Sequence, residues 1–92
     1  MRTRGISYYN KFRIEKVSDE SFRIQYGLLE ASFEIAPLLQ LTIQEYVALS
    51  INNGAHMVGN CQTFLYFKTE EQTQKFIDDI VEPLMILNKI IE

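Results

Sequence analysis

Apolar and polar side chains alternate along the first part of the chain. Ile6, Tyr8, Phe12 and Ile14 share the even positions with Asn10, while Ser7, Tyr9, Lys11, Arg13 and Glu15 hold the odd ones. Successive side chains of a strand point to opposite faces, so this period of two predicts a half-buried strand. The polar cluster Ser18–Ser21 predicts a turn. Phe22, Ile24 and Tyr26 then alternate with Arg23 and Gln25 up to Gly27, which predicts a second strand. Ala31, Phe33 and Ile35 alternate with Ser32 and Glu34 before Pro37, and predict a third. Short connections make these an antiparallel meander with one wet face.

Beyond Pro37 the period lengthens. Thr42 followed three residues on by Glu45 is the pattern of a capping box. Ile43, Tyr46, Val47 and Ile51 then fall at helical spacing, and Asn53-Gly54 suits the far end, where a left-handed residue is needed. The expected helix covers about 42–53. Phe64 to Phe67 is apolar or aromatic throughout, as in a central strand covered on both faces. Gly59-Asn60 fits a two-residue hairpin turn that would set His56 opposite Thr63 and Met57 opposite Gln62. Thr69 and Gln72 form a second capping pattern. Thr73, Phe76, Ile77, Ile80, Val81 and Leu84 line one stripe of the helix that follows, and Glu71, Lys75 and Asp79 form a ladder on another. Pro83 lacks an N–H and clashes one turn back, so a break is expected near Val81–Glu82. The fold class is therefore α+β: a meander of three strands and a later fourth, packed on one face by two helices in the order β-β-β-α-β-α.

A length of 92 residues and an apolar fraction of 47% fit one folded domain over 1–92. A domain this small leaves much of its surface exposed and is marginally stable. The single cysteine cannot form an internal disulfide. The apolar stretch from Pro83 to Ile91 is far shorter than the ~20 residues of a membrane span, and no signal-peptide pattern opens the chain. A soluble, cytoplasmic protein is expected.

The net charge of −3 carries no overall nucleic-acid signature, but it is unevenly spread. Residues 1–26 hold six basic and three acidic side chains; residues 27–92 hold three basic and nine acidic. The outward positions of the first two strands, Tyr9, Lys11, Arg13 and Arg23, would make a basic and partly aromatic sheet face. Single-stranded nucleic acid binds such faces by stacking and phosphate contact. Glu70, Glu71, Asp78, Asp79 and Glu82 would make an acidic helix face able to meet a basic partner.

Candidate chemistry changes the picture little. His56 and Cys61 are the only histidine and the only cysteine. In the expected hairpin they form a diagonal pair about 7–8 Å apart, too far for a resting nucleophile–base bond. Zinc would need further ligands of the same kind, and none exist. The four glycines are scattered, so no phosphate loop forms. Adjacent acids on a helix diverge and do not converge on one substrate atom. No catalytic residue, metal or cofactor is expected. The C-terminus is more informative: Leu84, Met85, Ile86, Leu87, Ile90 and Ile91 point in nearly every helical direction. A helix apolar all round must be covered on more than one side, either by a homodimer or another partner or by wedging between the sheet and the first helix, and association is the expectation.

The segment 62–92, QTFLYFKTEEQTQKFIDDIVEPLMILNKIIE, resembles the C-terminal ends of small phage- and prophage-encoded proteins, which close with a strand, a capped turn and an amphipathic helix. That resemblance implies a short accessory protein that binds a bacterial protein complex, such as a host-defence factor, without catalysis. Phe64 to Asp79 also resembles the last strand and helix of an RNA-recognition domain, but the aromatic signature strand of that family is not matched.

Overall fold

The computed structural model describes residues 12–57 and 64–88. The first strand β1 runs Phe12–Ser18 and pairs antiparallel with β2, Ser21–Tyr26. Phe12 faces Tyr26 and Ile14 faces Ile24, so the predicted alternation sets the register and puts these four on the core side. The predicted turn is the two-residue Asp19-Glu20 link, and the ladder slips at Val17. Residues 6–11 of the expected first strand lie outside the described residues. Tyr26 and Leu29 exchange two backbone hydrogen bonds of 2.9 Å around Gly27-Leu28. Gly27 takes φ 62°, which glycine adopts without a Cβ penalty.

The expected third strand is instead helical. Residues Ser32–Ile35 form a short helix, α1, that continues as a 3₁₀ turn over Ala36–Leu39. Alternation of Ala31, Phe33 and Ile35 is equally compatible with a helix if Phe33 faces water. Phe33 does so, while Ala31, Ser32, Ile35, Ala36 and Leu39 are buried at helical spacing. The Glu34 carboxylate settles the start by accepting the N–H groups of Glu30 (3.1 Å) and Ala31 (3.0 Å). These bonds hold its carboxyl below the ordinary value of 4.5. Pro37 sits in the first turn of the 3₁₀ segment, where its missing N–H costs nothing.

Helix α2, Ile43–Asn52, begins at Thr42 as expected. Glu45 N–H donates to Thr42 Oγ1 at 3.1 Å and Thr42 N–H donates to the Glu45 carboxylate at 2.8 Å. Tyr46, Val47 and Ser50 are its buried residues, and burial pushes the Tyr46 phenol well above its ordinary pKa. Gly54 ends the helix with φ 104°.

Strands β3, His56–Met57, and β4, Leu65–Tyr66, pair antiparallel. His56 faces Tyr66 and Met57 faces Leu65, so the expected pairings of His56 with Thr63 and of Met57 with Gln62 are overturned. The observed register pairs an apolar side chain with another, where the expected one set Met57 against Gln62. The expected Gly59-Asn60 turn lies outside the described residues.

Among the described residues a single four-stranded sheet is not formed; they hold two two-stranded sheets, linked by one antiparallel bridge between Phe22 and Phe67. Its two backbone hydrogen bonds measure 2.8 and 2.7 Å. Strand β4 therefore lies between β3 on one side and β2 on the other. Leu65 and Phe67 point into the core, and Phe64 and Tyr66 stay half-buried on the opposite face.

Thr69 caps helix α3, Glu70–Phe76, by accepting from Gln72 N–H at 3.0 Å. The reciprocal half of this box is missing; the Gln72 amide lies beside Gly54 instead. Of the predicted stripe, Thr73, Phe76, Ile77 and Val81 are buried and Ile80 and Leu84 half-buried, and Met85, expected at an interface, is buried with them. A π-helical turn over Ile77–Val81 precedes α4, Glu82–Leu87. There Glu82 N–H reaches back five residues to the Ile77 carbonyl, and Pro83 enters the first turn of the next α-helical segment. The expected break is thus a change of helical pitch ahead of the proline. Lys75 and Asp79 meet at 2.9 Å in the expected ladder.

Both helix caps rest on one hydroxyl, but only Thr42 has a reciprocal partner. Thr69→Ala is expected to lower stability by about 1 kcal/mol. A urea-unfolding midpoint unchanged by Thr69→Ala would mean that the cap contributes nothing to α3.

Candidate functional site

Three surfaces carry the residues singled out by sequence. The first is the outer face of β1 and β2. Strand alternation places Arg13, Glu15, Arg23 and Gln25 there, opposite the core face. Arg23 is its centre. Its Nε donates to Glu15 at 2.6 Å and its guanidinium meets Glu30 at 3.2 Å. The same group lies over the Phe64 ring, 4.7 Å from its centroid. Only 17% of the Arg23 side chain is exposed. Burial works against its charge, but the hydrogen bond and charge of Glu15, with that of Glu30, outweigh burial and raise its pKa. Arg13 donates to Gln25 at 3.3 Å, and Gln25 donates to Glu30 at 3.0 Å. Among the described residues, Arg13 and Arg23 are therefore balanced on this face by Glu15 and Glu30. Tyr9 and Lys11 lie outside the described residues.

Sequence reading missed several members of this face. Glu15 was placed outward, but its pairing with Arg23 follows only from the hairpin register. Glu30 reaches the face because the Gly27-Leu28 turn folds the chain back beside Gln25. Phe64, Tyr66 and His56 join through β4 and β3, with the His56 and Tyr66 rings 6.2 Å apart. The His56 Nδ1 is buried and has no hydrogen-bond partner among the described residues. Cys61 lies outside the described residues, so the expected diagonal pair has no described geometry.

The second surface is acidic. Glu70, Glu71, Asp78, Asp79 and Glu82 are all exposed along the α3–π–α4 rod. Asp79 is paired with Lys75, and Asp78 accepts from the Gln74 amide at 2.8 Å. Glu70 and Glu71 occupy the first turn of α3, where the helix dipole favours negative charge. Among the described residues no group of three or more His, Cys, Asp or Glu side chains is arranged to hold a metal ion.

The third surface is the apolar C-terminus, which the structure divides. Met85 is fully buried and Leu84 half-buried against the core; they act as intramolecular packing, not as a free interface. The reason is that α4 lies on the 3₁₀ turn, where the Asn88 amide donates to the Leu39 carbonyl at 3.3 Å. Ile86 and Leu87 point outward, 55% and 74% exposed. Ile90 and Ile91 lie outside the described residues.

Compared with family models, with curated proteins and with solved structures, the chain matches none. No helix among the described residues is long and apolar enough to cross a membrane.

The Arg23 cluster makes a quantitative demand on the fold. Arg23→Ala removes two ion pairs and an aromatic contact that are neither fully buried nor fully wet. It is expected to cost about 1–2 kcal/mol, between the surface and buried limits for ion pairs. Arg23→Lys should recover only part of this, because an ammonium lacks the planar fork. Urea unfolding of both variants checks it, and an Arg23→Ala protein as stable as the parent would contradict the geometry.

Proposed function

We propose that this chain is a non-catalytic protein-interaction module, a cytoplasmic homodimer of the phage-type accessory kind that binds and modulates a bacterial protein complex. The observation that carries the reading is the outward pair Ile86 and Leu87 at the end of α4. Two adjacent large aliphatic side chains left in water lose the gain of burial, and a second surface laid over them recovers it. Glu82 lies one turn before Ile86, and Glu70, Glu71, Asp78 and Asp79 line the earlier part of the same rod, so a heterologous partner that covers it would carry basic groups. The likeness of 62–92 to phage-encoded proteins supports the class of partner.

A second reading, single-stranded nucleic-acid binding, gains one observation. Phe64, Tyr66 and His56 bring aromatic rings to the face that holds Arg13 and Arg23. Against it, Glu15 and Glu30 neutralise Arg23, so the described part of the face offers phosphates little net attraction.

The Leu87 side chain stands clear of the core, so Leu87→Glu should change folding stability by no more than about 0.5 kcal/mol. Light scattering should show the parent protein as a dimer and Leu87→Glu as a monomer. A monomeric parent, or a variant that stays dimeric, would sink the C-terminal interface. Binding to single-stranded oligonucleotide that weakens steeply with added salt would favour the second reading.

A further inference from the structure

Asn53-Gly54 is the only Asn-Gly pair in the chain, and both residues are exposed at the end of α2. The amide nitrogen of a glycine has no Cβ beside it to hinder attack on the preceding side chain. When that nitrogen loses its proton, it can bond to the asparagine side-chain carbon. Ammonia leaves and a five-membered imide remains. Water then opens the imide at either carbonyl, giving aspartate or isoaspartate. No oxidant, reductant or enzyme is needed.

We propose that Asn53 is a spontaneous modification site of this kind, kept latent by the hydrogen-bonded end of α2. Ring closure requires the Gly54 nitrogen on the same side of the Cα–C bond as the Asn53 Cβ. At ψ 17° that nitrogen lies on the far side. Its proton is donated to the Ile51 carbonyl at 3.1 Å, so it is not free to leave. The Asn53 side-chain amide is held by the Leu49 carbonyl at 2.8 Å. Ala55 N–H closes the turn onto the Ser50 carbonyl at 2.9 Å. Reaction therefore waits for this helix end to open, a local event that needs no global unfolding.

The product would not fit the site it leaves. A carboxylate at 53 faces the Leu49 carbonyl and the negative end of the helix dipole, where the amide had donated. Isoaspartate also adds a carbon to the main chain beside Gly54. That glycine lies against the Gln72 side chain, and an added Cβ there would meet its Nε2 at 3.2 Å. Once formed, the modification loosens the contact between the end of α2 and the start of α3.

The test is incubation of the full chain at mildly alkaline pH, folded and in denaturant, with the amide-to-acid mass change located by fragment ions. In denaturant Asn53 should react first among the amides, with isoaspartate among its products. In the folded protein it should react at least about tenfold more slowly, since closure waits on opening of the helix end. Equal rates in the two states would overturn the latency. Another amide reacting first in denaturant would overturn the site. As a second readout, Asn53→Asp should speed amide exchange at Ala55; unchanged exchange there would overturn the predicted loosening.

Discussion

Among the described residues, two strand pairs that share no ladder are joined by one pair of backbone hydrogen bonds, between Phe22 and Phe67. Neither pair could stand alone, since two strands in water are marginal without further strands or a helix against them. The bridge fixes where β4 lies against β2, and the Phe67 side chain carries the consequence inward. Its ring is 5.3 Å from that of Phe76 on α3, and Phe76 is 6.3 Å from Tyr46 on α2. One chain of aromatic contacts thus runs from the junction of the sheets through both main helices. Phe67 and Phe76 are each only 1% exposed, so neither can shift without opening the core.

The same junction builds the outer face. Once Phe67 is seated inward, alternation turns Phe64 outward, where the Arg23 guanidinium covers it. Arg23 then needs anions, and Glu15 across the hairpin and Glu30 beyond the turn supply them. The outcome is a sheet surface whose charges satisfy one another. Apolar side chains left in water include Ile86 and Leu87 on α4, beside the carboxylates of the same rod, and also Leu28 and Phe33 just after β2.

How much was legible in the sequence depends on how far each signal reaches. Caps are local, so Thr42 with Glu45 and Thr69 with Gln72 marked their helix starts correctly. Gln72 departs from its box because its amide contacts Gly54, a tertiary fact no local pattern contains. The hairpin Phe12–Tyr26 was legible because one face is buried and slippage would invert it. The stretch 31–36 was not. Its alternation is too short to separate period two from a helical turn, and Glu34 decides the matter through two backbone amides. Among the candidate site residues, the outward placement of Arg13 and Arg23 was readable. The neutralisation of Arg23 was not, because Glu30 is distant in register and arrives through a turn. The apolar pattern of the C-terminus does not separate core from interface, and α4 gives Met85 to the core while leaving Leu87 outside.

Amide hydrogen exchange at Phe22 and Phe67 tests the central claim most directly. If their mutual bridge holds the two sheets together, both amides should exchange only with global unfolding, as slowly as the most protected amides of α2 and α3. Rapid exchange at either one, while the helices stay protected, would show that the sheets separate in the native state and that the helices alone hold the fold.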